Sequence, residues 1–391
     1  MRTSTVAVAV LVLLAGVVPV GAVATTGPET SGLDAATGSS AATGSSAETR
    51  GDAAALTQQA GCGFPTTTTD ATGTEVRVED RPERIVTLSP SAAQTMWDIG
   101  ARDRVVGVTQ YATYLEGADT RTNVSGAGQT LISTEQVVGA NPDLVLAPNV
   151  VPNETVTALR DAGLTVYKAE AAGTLRDVAD KTRLFGRLVG SCASANATAD
   201  RFEAELATVE EAVAGEDRPR VLYTFFGFTA GEGTFIDEII TTAGGENVAA
   251  EANITGFQQV SPETVVAQDP EWLVLNSDSP QAPRTDAYNS TTAVQEGNVV
   301  VLDANYISQP APRVIRSVQT LAQAFHPDAY AQANATATPT PTETATPTET
   351  PSTTTQAVDD TPATTTSTPG FGVVVALLST LVAALLARRA V

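Results

Sequence analysis

One fifteen-residue pattern occurs twice in this chain, and the repeat limits the folds that the chain can adopt. The segments STEQVVGANPDLVLA, from Ser133, and SPETVVAQDPEWLVL, from Ser261, both read Ser-x-Glu-x-Val-Val-x-x-x-Pro and continue within two residues into Leu-Val-Leu. Each copy predicts a short helix capped by serine and then a buried strand. Because one such unit cannot bury its apolar face alone, two copies 128 residues apart predict two lobes of the same local design.

Strand and helix patterns alternate around both copies. Strands are predicted at RIVTL, RVVGV, LTVYKA, RVLYTF and NVVVLD, and helices at SPSAAQTMWDIGA, NETVTALRDAG, TFIDEIITTAGG and APRVIRSVQTLAQAF. This alternation is typical of parallel sheets covered by helices. The predicted fold class is therefore α/β, with two similar lobes, each a parallel sheet flanked by helices.

Between the two copies, apolar residues recur in helical steps from residue 174 to residue 214. The spacing predicts one amphipathic helix of about 40 residues, roughly 60 Å long, with a kink near Gly190. A helix of this length would join the two lobes and leave a ligand cleft between them.

Composition divides the rest of the chain. Arg2 precedes an apolar run and the small-residue pattern Ala22-Val23-Ala24, which predicts an export signal, with an uncleaved anchor as the alternative. The expected segments are a signal peptide (1–24), a flexible leader (25–60), an N-terminal lobe (61–173), a linking helix (174–214), a C-terminal lobe (215–330), a Thr/Pro/Glu-rich stalk (331–368) and a terminal segment (369–391).

The terminal segment contains Pro369, Gly370 and Phe371, then an apolar stretch at 372–387 that ends in an arginine pair. This order resembles the sorting signal of archaeal surface proteins, whose apolar tail is removed and replaced by a lipid. It implies a protein on the extracellular face of the membrane, anchored at its C-terminus by a lipid or by a spanning helix.

The charge is strongly acidic. Aspartate and glutamate total 44 against 22 lysines and arginines, a formal net charge of −22. Such a surface suits an extracellular protein of a halophile, although an ordinary acidic surface protein has the same composition. Nucleic acid is not an expected partner, because no basic patch could replace counterions on phosphates.

Two modifications are expected outside the cell. Cys62 and Cys192 predict one disulfide in an oxidising compartment, and the alternative is a lipidated Cys62. Six Asn-x-Ser/Thr sequons predict N-glycosylation: Asn123, Asn153, Asn196, Asn253, Asn289 and Asn334.

The sequence favours binding over catalysis. Its one histidine, His326, lies at a helix end, and no nucleophile and base share a motif, so neither an enzyme nor a metal or cofactor centre is expected. Aromatic residues instead follow several predicted strands, and their flat faces suit a large ring-bearing ligand.

The stretches PERIVTLSPSAAQTMWDIGARDRVVGVTQYATYL, PDLVLA, AGGENV and VSPETVVAQDPEWLVL resemble the helical-backbone class of ABC-transporter substrate-binding proteins, above all its cobalamin-binding and iron-siderophore-binding members. The resemblance implies a monomeric head with a ligand cleft lined by Pro90, Ser91, Tyr111, Tyr114, Phe226, Phe257 and Tyr306. It also implies that Glu135 and Glu263 dock into an ABC permease dimer, which works with ATPase subunits, whereas a capping-box role for both is the alternative.

The expected ligand is a corrinoid. A ferric siderophore is the alternative, with Arg284 and Arg313 as the candidate cations of the second lobe, and haem is a further alternative. A stalked surface adhesin without a transport role also fits the stalk and sequons.

Overall fold

The computed structural model describes residues 62–127 and 131–337. The expected signal peptide, leader, sorting signal and most of the stalk lie outside these residues. Within the described ranges, none of the helices combines the length and the apolar character needed to cross a membrane.

The N-terminal lobe is built on a parallel sheet in the order β5-β4-β3-β6-β7. Its described elements are β1 (Thr66–Thr69), β2 (Glu75–Val78), β3 (Ile85–Thr87), α1 (Pro90–Asp98), β4 (Val105–Val108), β5 (Thr122–Asn123), α2 (Thr134–Gly139), β6 (Leu144–Ala147), α3 (Asn153–Asp161) and β7 (Val166–Lys168). The serine that precedes α2 caps it as the repeat predicts, since Ser133 Oγ accepts a hydrogen bond from the Gln136 N–H.

Residues predicted to form one linking helix form two. They are α4 (Leu175–Val189) and α5 (Cys192–Ala212), so the prediction of a single 40-residue helix is wrong. Gly190 lies between them with φ 67°, a left-handed conformation that ends a helix and that glycine adopts without strain.

The two helices pack against each other as an antiparallel hairpin. Arg183 on α4 binds Glu203 on α5 at 2.6 Å, and a Cβ at Gly186 would lie 2.2 Å from the Ala195 Cβ, so the backbones approach closely there. The start of α4 packs in the core of the C-terminal lobe and its end in the core of the N-terminal lobe. The link between the lobes is therefore a pair of helices.

The C-terminal lobe repeats the parallel sheet, in the order β10-β8-β12-β13. Its described elements are β8 (Arg220–Tyr223), β9 (Phe228–Ala230), α6 (Phe235–Thr242), β10 (Glu246–Asn247), α7 (Val248–Glu251), β11 (Phe257–Gln259), α8 (Pro262–Gln268), β12 (Trp272–Asn276), α9 (Asp286–Asn289), α10 (Thr292–Glu296), β13 (Val299–Leu302), α11 (Ala304–Ile307), α12 (Ile315–Phe325) and α13 (Pro327–Ala337). Because α13 continues to Ala337, the folded head reaches seven residues beyond 330, where the C-terminal lobe was expected to end.

The repeat builds the same set of hydrogen bonds in both lobes. The Arg84 guanidinium donates to the Ala140 carbonyl at the end of α2, and its backbone N–H donates to the Asp143 carboxylate. In the second lobe Arg220 donates in the same way to the Gln268 carbonyl at the end of α8 and to the carboxylate of Glu271. A cation at each helix C-terminus also complements the helix dipole, so α2 and α8 are held against their sheets alike.

A hairpin of β1 and β2 covers the outer edge of the first sheet. The buried Asp70 carboxylate accepts hydrogen bonds from the Lys168 N–H of β7 at 3.0 Å and from the Arg160 guanidinium at 2.5 Å. The chain before this hairpin is tied down by the expected disulfide, since the Cys62 and Cys192 sulfurs are 1.98 Å apart.

Candidate functional site

The first predicted wall of the ligand site follows the carboxyl ends of β3 and β4, the edge at which parallel sheets bind ligands. Pro90 and Ser91 open α1, and the Ser91 hydroxyl is buried 3.1 Å from the Ser89 hydroxyl. Ser91 therefore supports the helix start more than it offers surface to a ligand.

Two tyrosines follow β4. Tyr111 is 47% exposed in a short 3-10 turn, and Tyr114 is half-buried, with its hydroxyl oxygen accepting a hydrogen bond from the Gln94 amide at 2.7 Å. Burial raises the pKa of Tyr114 to about 12, against a weaker opposing effect of the Gln94 hydrogen bond. Tyr114 thus stays a neutral phenol, and its proton can be donated to a ligand because its oxygen already accepts from Gln94.

The second predicted wall is aromatic and follows β8. Phe225 and Phe228 exchange backbone hydrogen bonds of 2.8–2.9 Å around a two-residue turn, whose central residues Phe226 and Gly227 have φ of 48° and 82°. Positive φ at both positions defines the tight hairpin turn that prefers Asn-Gly, and a bulky residue there is strained. Phe226 nevertheless occupies the turn tip, where it is 47% exposed. Such strain persists at functional positions.

Phe257 stands behind this turn. Its ring meets Phe225 edge to face at a centroid distance of 6.1 Å, and β11, which carries Phe257, pairs antiparallel with β9. Phe225 in turn meets Phe226 at 6.5 Å. Phe226 and Phe257 therefore belong to one aromatic cluster through Phe225, a partly buried residue that packs against the core of the C-terminal lobe.

Tyr306 lies in α11 after β13, beside a cation that the sequence analysis missed. The Arg316 guanidinium lies 5.2 Å from the Tyr306 ring centroid, a cation–π distance, and donates to the tyrosine hydroxyl at 3.2 Å. Arg316 is exposed on α12. Only the topology brings these two helices together, so no sequence spacing signals the pair.

A buried glutamine, Gln94, links residues of the two predicted walls. The Gln94 amide nitrogen donates to Tyr114 and, at 3.4 Å, to the carbonyl of Asn305, while its oxygen accepts from the Arg313 N–H at 3.1 Å. Gln94 is fully buried in α1, so its polar atoms need these partners. It brings Tyr114 close to the residue before Tyr306, and it was not predicted.

Arg313 is committed to the junction of the lobes. Its guanidinium donates to the Asp98 carboxylate at 2.7 and 2.9 Å, joining the C-terminal lobe to the end of α1. The expectation that Arg313 is a cleft cation for an anionic ligand is therefore not supported by this geometry. Arg284 is exposed in the loop after β12, and Arg316 joins it as a candidate.

The predicted docking residues occupy equivalent places on α2 and α8. Glu135 and Glu263 are both exposed and both stand two residues after the capping serine. A capping-box glutamate must stand three residues after the cap, where Gln136 and Thr264 lie, so that alternative does not fit. Hydrogen bonds from its own N–H and from the Ser261 hydroxyl lower the pKa of Glu263, which keeps it charged.

The remaining predicted residues are placed as follows. The six sequon asparagines are all exposed: Asn123, Asn153, Asn196, Asn253, Asn289 and Asn334. His326 ends α12, and its Nε2 lies 3.2 Å from the Gly244 carbonyl. Pro369, Gly370 and Phe371 lie outside the described residues. Within those residues, no group of three or more His, Cys, Asp or Glu side chains could hold a metal ion.

Comparison with known proteins gives the class of this molecule. The family model of the periplasmic binding protein matches residues 85–306, and the PGF-CTERM motif matches residues 368–390. The chain belongs to the periplasmic binding protein family. Because the members of this family bind solutes, the chain is a binding protein and not an enzyme, and its PGF-CTERM motif marks it as a cell-surface protein processed at the C-terminus.

Individual relatives agree with this assignment. The chain is 46% identical over 277 residues to the cobalamin-binding protein of Halobacterium salinarum, covering 68% of this chain and 75% of that protein. The periplasmic heme-binding protein RhuT from Roseiflexus sp. RS-1 superposes with a TM-score of 0.57 at 28% identity, covering 63% of this chain and 99% of RhuT. The vitamin B12 binding protein BtuF of Vibrio cholerae has a TM-score of 0.56 at 24% identity over 65% of this chain and 98% of BtuF, which shows the shared fold.

Proposed function

We propose that this chain is the substrate-binding protein of an ABC importer, which captures a corrinoid outside the cell and delivers it to a membrane permease. The observation that carries the proposal is the 46% identity to a cobalamin-binding protein. The alignment covers 277 residues, and the family model spans residues 85–306, a range that contains residues of both lobes.

The chemistry of the two walls supports a large, flat ligand. Tyr111 and Phe226 each expose 47% of their surface, one on each lobe, and Tyr114 offers a neutral hydroxyl beside Gln94. Aromatic rings can pack against the faces and edges of a macrocycle while hydroxyls bind its polar rim. Pro90, Phe257 and Tyr306 complete the proposed ligand site.

Delivery requires a partner in the membrane. Glu135 and Glu263 are exposed, charged and symmetrically placed, as a dimeric permease with basic pockets would need. The Thr/Pro/Glu-rich stalk and a C-terminal anchor, a lipid after processing of the tail or a spanning helix, would keep the head near that permease and raise its effective concentration there.

An anionic iron chelate or haem is the second candidate ligand. Arg316 favours it, because an exposed guanidinium against Tyr306 is suited to binding a carboxylate or a hydroxamate oxygen. An adhesin role is not supported by the family and does not explain why the same acidic helix is presented on both lobes.

Calorimetric titration of the full chain in molar salt tests the proposal. Cyanocobalamin should bind saturably at micromolar concentration or tighter, and Phe226→Ala or Tyr306→Ala should weaken it roughly 10- to 100-fold, as expected for losing about 1.5–3 kcal/mol of aromatic contact. Val301→Ala is the matched control, since Val301 is 46% exposed but lies on β13.

Ferric hydroxamate and haemin are titrated in parallel. A clear isotherm with either iron compound, lost in Arg316→Gln, together with no heat from cyanocobalamin, would replace the corrinoid by the iron ligand. Silence with all three compounds would contradict the proposed function.

A further inference from the structure

The buried amide of Gln94 is fixed in one orientation by two main-chain groups. Its Oε1 accepts a hydrogen bond from the Arg313 backbone N–H at 3.1 Å, and an N–H can only donate. Its Nε2 donates to the Asn305 carbonyl oxygen at 3.4 Å, and a carbonyl can only accept. Both neighbours require the same assignment of oxygen and nitrogen, since a flipped amide would lose both contacts.

The orientation of this amide determines the role of the Tyr114 hydroxyl. Gln94 Nε2 donates to the phenol oxygen at 2.7 Å, so this oxygen is an acceptor. A phenol that accepts one hydrogen bond still has its own proton to donate. Among residues 62–127 and 131–337, no acceptor for that proton is found. Because Tyr114 is half-buried, the proton remains available to a ligand.

Arg313 keeps the amide in place. Its guanidinium donates to the Asp98 carboxylate at 2.7 and 2.9 Å, and the two side chains are only 24% and 14% exposed. Asp98 follows Gln94 by four residues on α1, so both lie on one face of that helix. The N–H that orients Gln94 therefore cannot move without breaking a largely buried ion pair, which is strongly destabilising.

The C-terminal lobe contains the same arrangement in a fully buried place. Asn276 Nδ2 donates to the Tyr223 hydroxyl at 2.9 Å, and its Oδ1 accepts from the backbone N–H groups of Asp278 and Ser279 at 3.2 and 3.1 Å. Tyr223 is 2% exposed in the core, so its hydroxyl is closed to a ligand. Tyr223 is thus a matched control for Tyr114.

We propose that Gln94 is a positioning residue that makes Tyr114 a fixed hydrogen-bond donor, so that the site selects ligands with an acceptor oxygen at this point. Carbonyl and carboxylate oxygens qualify, including the carbonyl oxygens of the amide side chains around a corrinoid ring. An ammonium group at the same point would have to compete with Gln94 for the phenol oxygen. The inference rests on the proposed ligand-binding function but not on which of the candidate ligands binds.

Gln94→Glu tests the direction of the hydrogen bond. When the new carboxyl is ionised, one oxygen still accepts from the Arg313 N–H, while the other accepts the phenol proton and so withdraws it from the ligand. When it is protonated, it donates to Tyr114 as the amide does. The affinity of this variant should therefore depend on pH in a way that the affinity of the wild type does not.

Other charged groups around this position are common to both proteins. They are Asp98, Lys181, Arg201, Tyr306, Arg313 and Arg316. Burial lowers the pKa of Lys181, which donates to the Pro310 carbonyl, to about 8, so measurements at about pH 5 and about pH 7 keep it charged. Only the difference between the two pH profiles then reports the new carboxyl.

Calorimetric titration of the full chain with cyanocobalamin measures these affinities in molar salt. Gln94→Glu should bind about tenfold more weakly than the wild type at about pH 7 and within about twofold of it at about pH 5. Tyr114→Phe should remove this difference, and Tyr223→Phe should bind as the wild type does. Wild-type affinity of Gln94→Glu at about pH 7, an equal loss at both pH values, or losses that multiply in the double variant would overturn the proposal.

A measurement without ligand separates this inference from the proposed function. The chain is labelled with ¹³C at the tyrosine ring carbon that carries the oxygen, and the Tyr114 signal is assigned by its loss in Tyr114→Phe. In Gln94→Glu this signal should move towards the phenolate position at about pH 7 and return at about pH 5, because a phenol that donates to a carboxylate gains phenolate character. An unmoved signal would overturn the role of Gln94 even if cyanocobalamin binds.

A second variant covers failure of Gln94→Glu to fold, which thermal unfolding would show. Gln94→Met has neither the donor nor a charge, and it should weaken binding about threefold in the wild type but not in Tyr114→Phe. An equal loss in both backgrounds would overturn the proposal. If cyanocobalamin fails to bind the wild type but the Tyr114 signal moves as expected, the corrinoid assignment fails and the orientation of Tyr114 stands. The affinities are then measured with ferric hydroxamate or haemin.

Discussion

The two lobes hold α2 and α8 against their sheets with the same set of hydrogen bonds, but they differ at the edges of those sheets. In the N-terminal lobe the edge strand β7 is covered by the β1–β2 hairpin, whose Asp70 carboxylate accepts from the Lys168 N–H. In the C-terminal lobe the edge strand β13 exposes Val299 and Val301. The repeated unit thus determines the common sheet and helices, while segments outside it determine how each edge is protected.

The lobes also present their aromatic residues differently. Tyr111 lies in an ordinary 3-10 turn, whereas Phe226 lies at positive φ in a tight hairpin turn backed by Phe225 and Phe257. The β1–β2 hairpin of the N-terminal lobe covers a sheet edge and stabilises that lobe. The Phe226 turn of the C-terminal lobe instead presents an aromatic side chain at the proposed site.

The largest expected effect on stability comes from a substitution at the edge of the first sheet, which the β1–β2 hairpin covers. Asp70→Ala should lower the free energy of unfolding by about 3 kcal/mol, because it leaves the partly buried Arg160 and the Lys168 N–H without their carboxylate. Denaturant titration measures this loss. Glu79→Ala is the control, since the Arg77–Glu79 pair is exposed and its removal should leave stability unchanged within error.

The Asp70 carboxylate should also make the stability of the protein depend on pH. Burial raises the pKa of Asp70, but hydrogen bonds from Thr72, Lys168 and Arg160 outweigh it and hold the pKa below its ordinary value of 3.8. The stabilisation from Asp70 is therefore complete above pH 3.8 and is lost as the pH falls through the lower folded-state value. Asp70→Asn has no carboxylate to protonate at this position. The difference in the free energy of unfolding between the wild type and Asp70→Asn should therefore become smaller below pH 3.8. A constant gap would contradict the role of the carboxylate.

The helix hairpin shared by the lobes should show the next largest effect. Gly186→Ala places a Cβ 2.2 Å from the Ala195 Cβ and should destabilise the protein by about 1–3 kcal/mol through overpacking. Gly139→Ala in α2 is the matched control, because its Cβ meets nothing within 4 Å. Thermal unfolding of both variants checks the expectation, which fails if Gly186→Ala is as stable as Gly139→Ala.

Asparagine substitutions at the two exposed aromatic positions, Phe226 and Tyr111, should distinguish the effect of backbone strain on stability from the effect of the aromatic ring on ligand binding. Phe226→Asn relieves the positive φ and should raise stability by up to about 1 kcal/mol, whereas Tyr111→Asn has no such strain to relieve. Both should weaken cyanocobalamin binding. Unfolding and calorimetry on the two variants check this pair of outcomes, and no gain in stability for Phe226→Asn would show that the turn is not strained.

The smallest effect is expected at the exposed edge. Val301→Lys should change the free energy of unfolding by less than about 0.5 kcal/mol, since the side chain is half exposed. It should reduce self-association measured by light scattering, because a lysine on an edge strand opposes strand pairing between molecules. Unchanged self-association would mean that β13 does not pair with strands of other molecules.

Sequence patterns predict the repeated elements well because their signals are local. Serine caps, helical periodicity and short β-branched runs place α2, α8, β6 and β12 close to their observed bounds. The apolar spacing across Gly190 is compatible with one helix and therefore predicts only a kink there, although glycine is also a common helix stop signal.

The candidate site is less predictable because its parts are distant in the chain. Gln94 resembles any polar helix residue until Arg313 and Asn305 meet it in the fold. The Phe226 turn lacks the Asn-Gly signature of its class, and the Arg316–Tyr306 contact depends on how α11 meets α12. Such contacts follow from topology, which periodicity does not encode.

The two-helix link has a consequence for how a ligand can enter the molecule. Because α4 and α5 both cross between the lobes and pack closely at Gly186, hinge bending and twisting of the lobes would have to deform two helices together. A ligand should therefore bind between lobes that are already in place, without waiting for a slow closing step. Under the proposed transport role, the work of separating the lobes to release the ligand would have to come from the membrane partner and not from this chain.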